Sequence, residues 1–499
     1  MMKMYISRVL VLLMIVGMMI AILPGCNTED NNKIDVSKIE TESGYIRMEF
    51  SEATGYKFEG MGTELDPHLL RSINTKYGTT EEDWEMICER IRAMKLQKIR
   101  VMVMPEWYEP KNENDDPHNL DMSAFSWDNE DMRSLYKVLD IAQEEGIRVN
   151  LTLWGAHASK QSWLAIPGCV HWVSPPNDLD EWSENFSALL KYVIQEKGYT
   201  CVQEITPYNE PNPAYYVKDT SEVNIEDYAE MVVNLDARLK TEGIRDLVDL
   251  NIGDDGGVPS WLLENVTHEE LKEVGDSFNS HVYRSVYYNL RELTDLAQTL
   301  SGMVKENTDK PFKVNEFGAK FQFDDNSYGE ALDSFERGML IGKMATTFMG
   351  EGCVAMCHWC LFDQYYGQGA FMYRGLWAFK DKNWEIRPAY YAITMITQHT
   401  DPGSDMYKGI TTDVQIAGTA LESKNGWTYL LVNESPLPKK VAIINGNIAA
   451  GTYNIYAYTE DRVPSDGSLT LTSSGTVELK ENVIYYEIPA NSFIVLSDI

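Results

Sequence analysis

The sequence predicts an α/β protein, a (β/α)8 TIM barrel followed by a C-terminal β-sandwich domain. Three observations lead to this prediction. Apolar strand-like runs alternate with segments of helical period from Phe58 to about His399. After His399 the helical period ends, and short alternating runs separated by Gly, Asn, Pro and Ser follow. No glycine-rich phosphate loop follows the first strand, which argues against the alternative, a doubly wound open sheet.

The first 25 residues are predicted to be a lipoprotein signal peptide. Lys3 and Arg8 precede an apolar run from Val9 to Ile22, which is too short for a comfortable membrane span. The run leads into Leu23-Pro24-Gly25-Cys26, which resembles the bacterial lipoprotein processing box. The resemblance implies cleavage before Cys26, diacylation of that cysteine, and a protein lipid-anchored outside the cytoplasm at the bacterial membrane. An uncleaved signal anchor is the alternative, and it would also export and tether the chain.

Residues 26–43 are predicted to form a flexible tether, because they are polar and their few apolar positions cannot bury enough surface to fold alone. Residues 44–57 contain an alternating run from Tyr45 to Phe50 that looks like the C-terminal strands. We therefore expect this N-terminal strand to join the sandwich.

The catalytic barrel is predicted to span residues 58–400, with eight strands and eight helices in alternation. The predicted strands are Phe58–Gly62, Ile99–Met104, Val149–Trp154, Val202–Tyr208, Val248–Ile252, Phe278–Tyr283, Phe312–Glu316 and Val354–Leu361. The predicted helices are Glu81–Met94, Asp131–Glu145, Glu181–Gln195, Ile225–Thr241, Pro259–Val274, Leu290–Lys305, Gly329–Met349 and Arg387–His399.

Residues 401–499 are predicted to form the β-sandwich, from short alternating runs such as Trp427–Val432 and Val483–Ile488. The domain is either a separate carbohydrate-binding module or a small domain packed rigidly on the barrel. The second interpretation is favoured because no long linker precedes the domain.

The chain is strongly acidic, with 76 Asp and Glu against 43 Lys and Arg and a formal net charge of −33. Such a charge disfavours nucleic acid, anionic lipid surfaces and polyanionic glycans as partners. It also keeps an extracellular protein soluble. A neutral substrate is therefore the easier expectation.

The seven cysteines show no regular disulfide spacing. Cys353, Cys357 and Cys360 lie in an apolar run with strand character. At about 3.3 Å per residue the first two would be about 13 Å apart, and Cys360 would face the other way, so one zinc ion does not fit. The eight histidines form no His-x-His or His-Glu-x-x-His cluster. Buried thiols, and no metal or other cofactor, are the prediction.

Two short strings supply a pair of carboxylates for the predicted barrel. Tyr208-Asn209-Glu210-Pro211-Asn212 ends the fourth strand, and Val314-Asn315-Glu316-Phe317-Gly318 ends the seventh. Because the carboxyl ends of all barrel strands meet at one rim, Glu210 and Glu316 are expected to approach across the barrel mouth. A retaining glycosidase needs two such carboxyl groups about 5 to 5.5 Å apart.

From Phe58 to His399 the chain resembles the retaining β-glycosidases of glycoside hydrolase clan A, in which an Asn-Glu-Pro ends strand four and a second glutamate ends strand seven. The resemblance implies that Glu210 is the general acid/base, that Glu316 is the nucleophile, and that Asn209 hydrogen-bonds the sugar 2-hydroxyl. The string around Glu316 looks closest to family 5, whereas the string around Glu210 is also similar to family 39.

Four further residues match the clan. His281 and Tyr283 point the same way on the sixth strand, where a His-x-Tyr orients the nucleophile in family 5, although such residues on an apolar strand are otherwise more often core. Arg100 lies inside the apolar second strand and needs a carboxylate partner; the clan has an arginine there beside the nucleophile. Trp359 falls on the eighth strand, where the clan uses a tryptophan as the floor under the sugar.

The match to family 5 departs at strand three, which should end near a histidine. Either Trp154 or His157 could fill that place. Asp254 and Asp255 after strand five, and Asp363 after strand eight, either bind sugar hydroxyls or cap helices.

Together these observations predict a hydrolase that acts by double displacement on a neutral polysaccharide or oligosaccharide. The alternative is a non-catalytic surface glycan-binding lipoprotein that uses the barrel as a scaffold.

Overall fold

The structure is a computed structural model. It describes residues 35–112, 114, 116–155, 163–164, 166, 175–211, 224–320, 331–366, 370–447 and 450–499. The predicted signal peptide and Cys26 lie outside the described residues. Within the described part of the chain, no helix combines the length and the apolar character that crossing a membrane requires.

Eight parallel strands close into a barrel, which confirms the predicted fold class and excludes the open sheet. Two strands, β1 (Ile46–Phe50) and β2 (Ala53–Lys57), precede it. The barrel strands are β3 (Gly60–Glu64), β4 (Lys98–Val103), β5 (Arg148–Leu153), β6 (Val202–Thr206), β7 (Asp249–Asp255), β8 (Ser277–Arg284), β9 (Phe312–Ala319) and β10 (Cys353–His358). Closure is made by β10, which pairs with both β3 and β9.

Helices cover the outside of the barrel. They are α1 (Ser72–Thr75), α2 (Glu81–Met94), α3 (Glu130–Glu145), α4 (Leu179–Leu190), α5 (Ile225–Thr241), α6 (Pro259–Thr267), α7 (Glu269–Val274), α8 (Leu290–Asn307), α9 (Phe335–Gly350) and α10 (Pro388–Gln398). The single helix predicted from Pro259 to Val274 is divided in two, because His268 has extended backbone between α6 and α7. The helix predicted from Gly329 is replaced by α9, which begins where the Ser334 hydroxyl accepts the Arg337 N–H.

The C-terminal strands form a second, mainly antiparallel sheet of eleven strands that includes β1 and β2. A small hairpin, β11 (Gln364–Tyr365) and β12 (Phe371–Met372), precedes them in the loop after β10. The strands are β13 (Asp405–Lys408), β14 (Ile410–Thr411), β15 (Ile416–Ser423), β16 (Gly426–Asn433), β17 (Lys439–Asn445), β18 (Ala450–Tyr458), β19 (Thr476–Lys480), β20 (Val483–Ile488) and β21 (Ser492–Ser497). The N-terminal strand β1 runs parallel to β17 and antiparallel to β14.

The sandwich packs directly on the barrel through α9. A Cβ on Gly338 would lie 2.0 Å from the Tyr458 hydroxyl oxygen, and one on Gly342 would lie 2.6 Å from Cγ of Phe493. Both glycines therefore allow β18 and β21 to approach the helix closely. Residues 35–43, within the predicted tether, also contact the sandwich, because Val36 is buried against a small apolar cluster that includes Ile444.

Candidate active site

The side chains predicted to carry chemistry converge at the carboxyl ends of the barrel strands. One carboxylate oxygen of Glu210, one of Glu316 and a ring nitrogen of His281 all lie within 4.8 Å of one another. This separation is compatible with the carboxyl pair of a retaining glycosidase, whereas an inverting enzyme needs about 6.5 to 9.5 Å.

Glu210 lies four residues beyond the end of β6, in a backbone conformation that few non-glycine residues adopt. Its φ is +47°, in the left-handed region. Hydrogen bonds to the strands on either side hold this turn: the Asn209 N–H donates to the Leu153 carbonyl at 2.8 Å, and the Glu210 N–H donates to the Asp254 carbonyl at 3.0 Å. The Glu210 carboxyl group, partly exposed, then has Oε1 3.0 Å from Nδ1 of His281.

Glu316 lies on β9 and is held through both carboxylate oxygens. Its Oε2 accepts a hydrogen bond from Nη1 of Arg100 at 2.7 Å, and its Oε1 accepts one from the Tyr283 hydroxyl. The side chain is only 8% exposed. Glu316 is therefore fixed in orientation beside the more exposed Glu210, as a nucleophile that attacks from one side would need.

Arg100 is fully buried and has three carboxylate partners where at least one was expected. Nη1 donates to Glu64 at 2.9 Å as well as to Glu316, and Nη2 donates to Asp254 at 2.6 Å and to Oδ1 of Asn209 at 2.8 Å. Burial lowers the pKa of Arg100, but Asp254, Glu64 and Glu316 outweigh burial, so the pKa lies above its ordinary value. The guanidinium therefore links the turn after β6 to the predicted nucleophile.

His281 on β8 lies between acidic groups on both sides. Its Nδ1 faces Glu210, and its Nε2 is 3.1 Å from Oδ1 of Asp254. Burial lowers the pKa of His281, but Glu316 and Asp254 raise it well above the ordinary value. Below that raised pKa the imidazole is a cation with a proton on each nitrogen.

Asp254 neither reaches outward to a sugar nor caps a helix. It is completely buried, with a φ of +49°, and it holds Arg100 and His281 while Oδ1 accepts from Nδ2 of Asn315 at 3.0 Å. Burial raises the pKa of Asp254, but Arg100 and His281 lower it below the ordinary value. This carboxylate is therefore an ionised support for both cations of the site.

The other two aspartates have different surroundings. Asp255 accepts the N–H groups of Gly257, at 2.7 Å, and of Val258 in the turn before α6, but it does not cap that helix, which has no side-chain cap. Asp363 is buried and pairs with Arg387 at 2.7 Å. Neither is directed at the carboxyl pair by a contact among the described residues.

The side-chain oxygen of Asn209 accepts a hydrogen bond from Arg100. Among the described residues, no acceptor takes a hydrogen bond from its Nδ2 group. The amide therefore has a donor for a sugar hydroxyl, as the resemblance implies.

Trp359 follows β10 immediately and is partly exposed. Its ring meets Tyr283 edge to face, with centroids 6.3 Å apart, and the Arg374 guanidinium lies 5.1 Å from the ring centroid. The tryptophan is thus next to the residue that donates to Glu316, as a sugar platform must be.

At strand three, Trp154 lies just past the end of β5, and its ring centroid is 6.4 Å from that of Tyr366. His157, the other candidate, lies outside the described residues. Trp154 therefore lies close to Tyr366, whose hydroxyl donates to Asp66 at the same rim.

Sequence reasoning did not identify four residues of this rim, Glu64, Asp66, Tyr366 and Arg374. A signal for the first was present, because β3 and β4 are parallel neighbours and Glu64 is the register partner of Arg100. Tyr366 donates to Asp66 from the hairpin loop after β10, a contact between residues 300 positions apart that no local pattern shows.

Glu210, His281 and Glu316 also have a separation that could hold a metal ion. The chemistry of the donors does not fit this use, because Glu316 already accepts from Arg100 and Tyr283 and the imidazole holds protons on both nitrogens. The trio is better suited to moving protons than to binding a cation.

No protein-family model and no curated protein sequence matches this chain. Solved structures resemble its fold. A glycoside hydrolase family 30 subfamily 8 xylanase from Clostridium acetobutylicum has a TM-score of 0.62 at 12% identity, over 91% of this chain and 99% of the xylanase. An endo-β1,6-glucanase has a TM-score of 0.57 at 14% identity over 92% and 94% of the two chains. An α-L-arabinofuranosidase from Thermotoga maritima has a TM-score of 0.58 at 12% identity over 91% and 99%. At such identities the likeness shows the fold alone, and the three neighbours differ in the sugar they act on.

Proposed function

We propose that this protein is a retaining β-glycoside hydrolase that cleaves a neutral polysaccharide or oligosaccharide by double displacement. The observation that carries the proposal is the separation of Glu210 and Glu316, with one oxygen of each within 4.8 Å. Fold neighbours named as glycoside hydrolases support the same reaction class. The site needs no further group for this chemistry, since acid, base and nucleophile are all side chains.

The two glutamates have different roles because their surroundings differ. Glu316, with both oxygens accepting hydrogen bonds, is held for attack on the anomeric carbon. Glu210 is more exposed, and its contact with the cationic His281 leaves its other oxygen to face the leaving group. In the first step Glu210 protonates the leaving oxygen while Glu316 bonds the sugar. In the second step water attacks the anomeric carbon, Glu210 takes a proton from this water, and the bond to Glu316 breaks, which releases the sugar with its original anomeric configuration and restores both glutamates.

Two substitutions test the assignment. Glu210→Gln and Glu316→Gln should each lower kcat/KM on an alkyl β-glycoside, whose leaving oxygen needs a proton, by about 10²- to 10⁴-fold, because each removes a group that acts in the transition state. Glu226→Gln is the matched control: this glutamate is at the start of α5, near the same end of the barrel, and its side chain is 81% exposed.

The first-formed product completes the test. Proton NMR of a fresh hydrolysate should show the β-anomer before mutarotation. An inverted anomer, full activity in either glutamine variant, or sugar binding without turnover across a broad panel of neutral glycans would each overturn the proposal. The last result would support the glycan-binding alternative.

We propose on residues 1–26 alone that the enzyme is anchored by a lipid on Cys26, outside the cytoplasm. The wild-type protein expressed in a bacterium should then incorporate a labelled fatty acid and begin at Cys26, and Cys26→Ala should remove the label. Wild-type protein that stays in the membrane without label and keeps residues 1–25 would indicate a signal anchor instead.

A further inference from the structure

Two buried carboxyl groups lie side by side at the end of β3, next to the proposed catalytic pair. Glu64 and Asp66 are each 1% exposed. Oε2 of Glu64 accepts from Arg100 at 2.9 Å, whereas Asp66 accepts from the Met102 N–H at 3.0 Å through Oδ1 and from the Tyr366 hydroxyl through Oδ2. All but one of the four carboxyl oxygens thus have a donor.

The exception is Oε1 of Glu64. It is completely buried, and no donor among the described residues reaches it. Asp66 lies only two residues after Glu64, and the two buried carboxyl groups are close enough for each to change the pKa of the other. Two ionised carboxylates in such contact would repel each other, and one proton between them turns the repulsion into a hydrogen bond. Because both Asp66 oxygens already accept, Oε1 of Glu64 is the atom that can carry this proton.

The charges of the surrounding site lead to the same conclusion. Five carboxyl groups, of Glu64, Asp66, Asp254, Glu210 and Glu316, are linked by contacts to two buried cations, Arg100 and His281. Arg374, over the Trp359 ring, brings a third cation to the rim. Carboxyl groups still exceed cations by two, and an unbalanced buried charge is costly. Protons held on carboxyl groups of the cluster reduce this excess, and the adjoining Glu64 and Asp66 are one place for such a proton.

We propose that Glu64 and Asp66 share a single proton, carried on Oε1 of Glu64 and donated to Asp66, so that Glu64 positions Arg100 as a neutral acid. Glu64 accepts from Arg100 without competing for its charge, which stays with Asp254 and Glu316. The role assigned to Glu316 is that of the proposed function. The shared proton itself follows from the contacts of the pair and does not depend on catalysis.

The pKa directions agree with this geometry. Burial first, and then Asp66, raises the pKa of Glu64 well above its ordinary value, although Arg100 acts against both. Burial also raises the pKa of Asp66, and hydrogen bonds from Glu64 and Tyr366 act against this. The titratable groups that face the pair from the neighbouring elements are Arg71, Arg100, Tyr283, Glu316, Cys357, Cys360 and Tyr366.

Infrared spectroscopy tests the proton directly and independently of activity. In full-length protein carrying Glu210→Gln, at about neutral pH, a protonated-carboxyl C=O band should be present. It should shift when glutamate is labelled with carbon-13 and should be missing after Glu64→Gln is added. A band that shifts with labelled aspartate instead, or the same spectrum with and without Glu64→Gln, would overturn the proposal.

Kinetics of conservative variants test the positioning role. Glutamine at position 64 keeps an acceptor for Arg100 and gains a donor for Asp66, so Glu64→Gln should keep kcat/KM within about threefold and leave its pH profile unchanged. Glu64→Ala removes the acceptor and should lower kcat by about 10- to 100-fold, the value of one hydrogen bond to a charged group.

The reciprocal variant separates the proton from simple packing. Asp66→Asn places a donor opposite Glu64, so Glu64 ionises and competes with Glu316 for Arg100. Because asparagine has one oxygen for the two donors Met102 and Tyr366, the substitution is made in a Tyr366→Phe background, where kcat should fall about tenfold. An ionised Glu64 in the wild type would reverse the pattern, with a large loss in Glu64→Gln and none in Asp66→Asn, and that reversal would contradict the proposal. If wild-type protein hydrolyses no glycoside, the proposed function fails while the infrared result still decides the proton.

Discussion

The two ends of the barrel hold buried charge clusters built on the same strands, yet the clusters differ in balance. Lys98 and Arg100 are two residues apart on β4, so their side chains point the same way, into the barrel. Lys98 pairs with Glu204 near the amino-terminal end, whereas Arg100 reaches Glu316 at the carboxyl end. The same strand thus supplies one cation to each cluster.

At the amino-terminal end every charge has an opposite partner. Glu204 is completely buried and accepts hydrogen bonds from Lys98 and, at 2.9 Å, from Lys313, while Nε of Arg148 lies 2.6 Å from its carboxylate as an ion pair. Lys313 also meets Glu59 at 2.7 Å, and Arg148 also meets Asp249. Burial raises the pKa of Glu204, but the three cations lower it below its ordinary value. Three carboxyl groups thus face three cations, so the charges of this cluster balance without a proton on a carboxyl group.

At the carboxyl end, acids exceed bases. The contrast shows that one scaffold can carry two kinds of charge cluster. A balanced cluster pairs every charge and stabilises the fold, whereas an acid-rich cluster must hold protons on carboxyl groups. A carboxyl group that is protonated at working pH is what general acid catalysis uses.

The largest expected effect that tests this comparison comes from replacing one buried glutamate at each end of the barrel with glutamine. Glu204→Gln leaves three buried cations with too little negative charge and should lower the free energy of unfolding by about 3 to 5 kcal/mol. Glu64→Gln replaces a neutral acid with a neutral amide and should change it by less than about 1 kcal/mol. Urea unfolding of both variants beside the wild type measures the difference.

Activity supplies the control for that experiment. Under conditions where it is folded, Glu204→Gln should keep the wild-type kcat, since none of its partners contacts the carboxyl pair. Equal destabilisation by the two substitutions would show that the two ends do not differ in protonation.

Much of the fold followed from the sequence because its signals are local. Each predicted barrel strand has a counterpart, and α2 and α5 have the predicted bounds. The position of Glu210 beyond β6 depends on Pro211 and on hydrogen bonds to neighbouring strands. The proline was visible in the sequence, whereas the left-handed turn was not.

Contacts between distant strands explain what the sequence did not predict. Asp254 looked like one of two equivalent aspartates, and only its burial beside Arg100 and His281 distinguishes it from Asp255. Glu64 precedes no motif, and its role depends on Arg100 in the next strand and on Asp66. Such pairs arise from barrel closure, which brings together residues far apart in the sequence.

A smaller effect, the pH dependence of stability, sharpens the comparison further. The carboxyl end takes up protons on folding, because the pKa values of Glu64 and His281 are raised above 4.5 and 6.5. Their stabilising contributions are complete below those values and are lost as pH rises through the folded pKa values. Each proton makes the free energy of unfolding fall by up to about 1.4 kcal/mol per pH unit.

The contribution of Glu204 to stability changes with pH in the opposite direction, since the pKa of Glu204 is lowered from 4.5. Its contribution is present above that value and is lost as pH falls through the folded pKa. Urea unfolding between about pH 5 and pH 8 should therefore show a slope that Glu64→Gln reduces by up to one proton and that Glu204→Gln leaves unchanged. A wild-type slope that Glu64→Gln does not alter would mean that Glu64 gains no proton on folding. The acid excess at the catalytic end would then have to be neutralised by a different group.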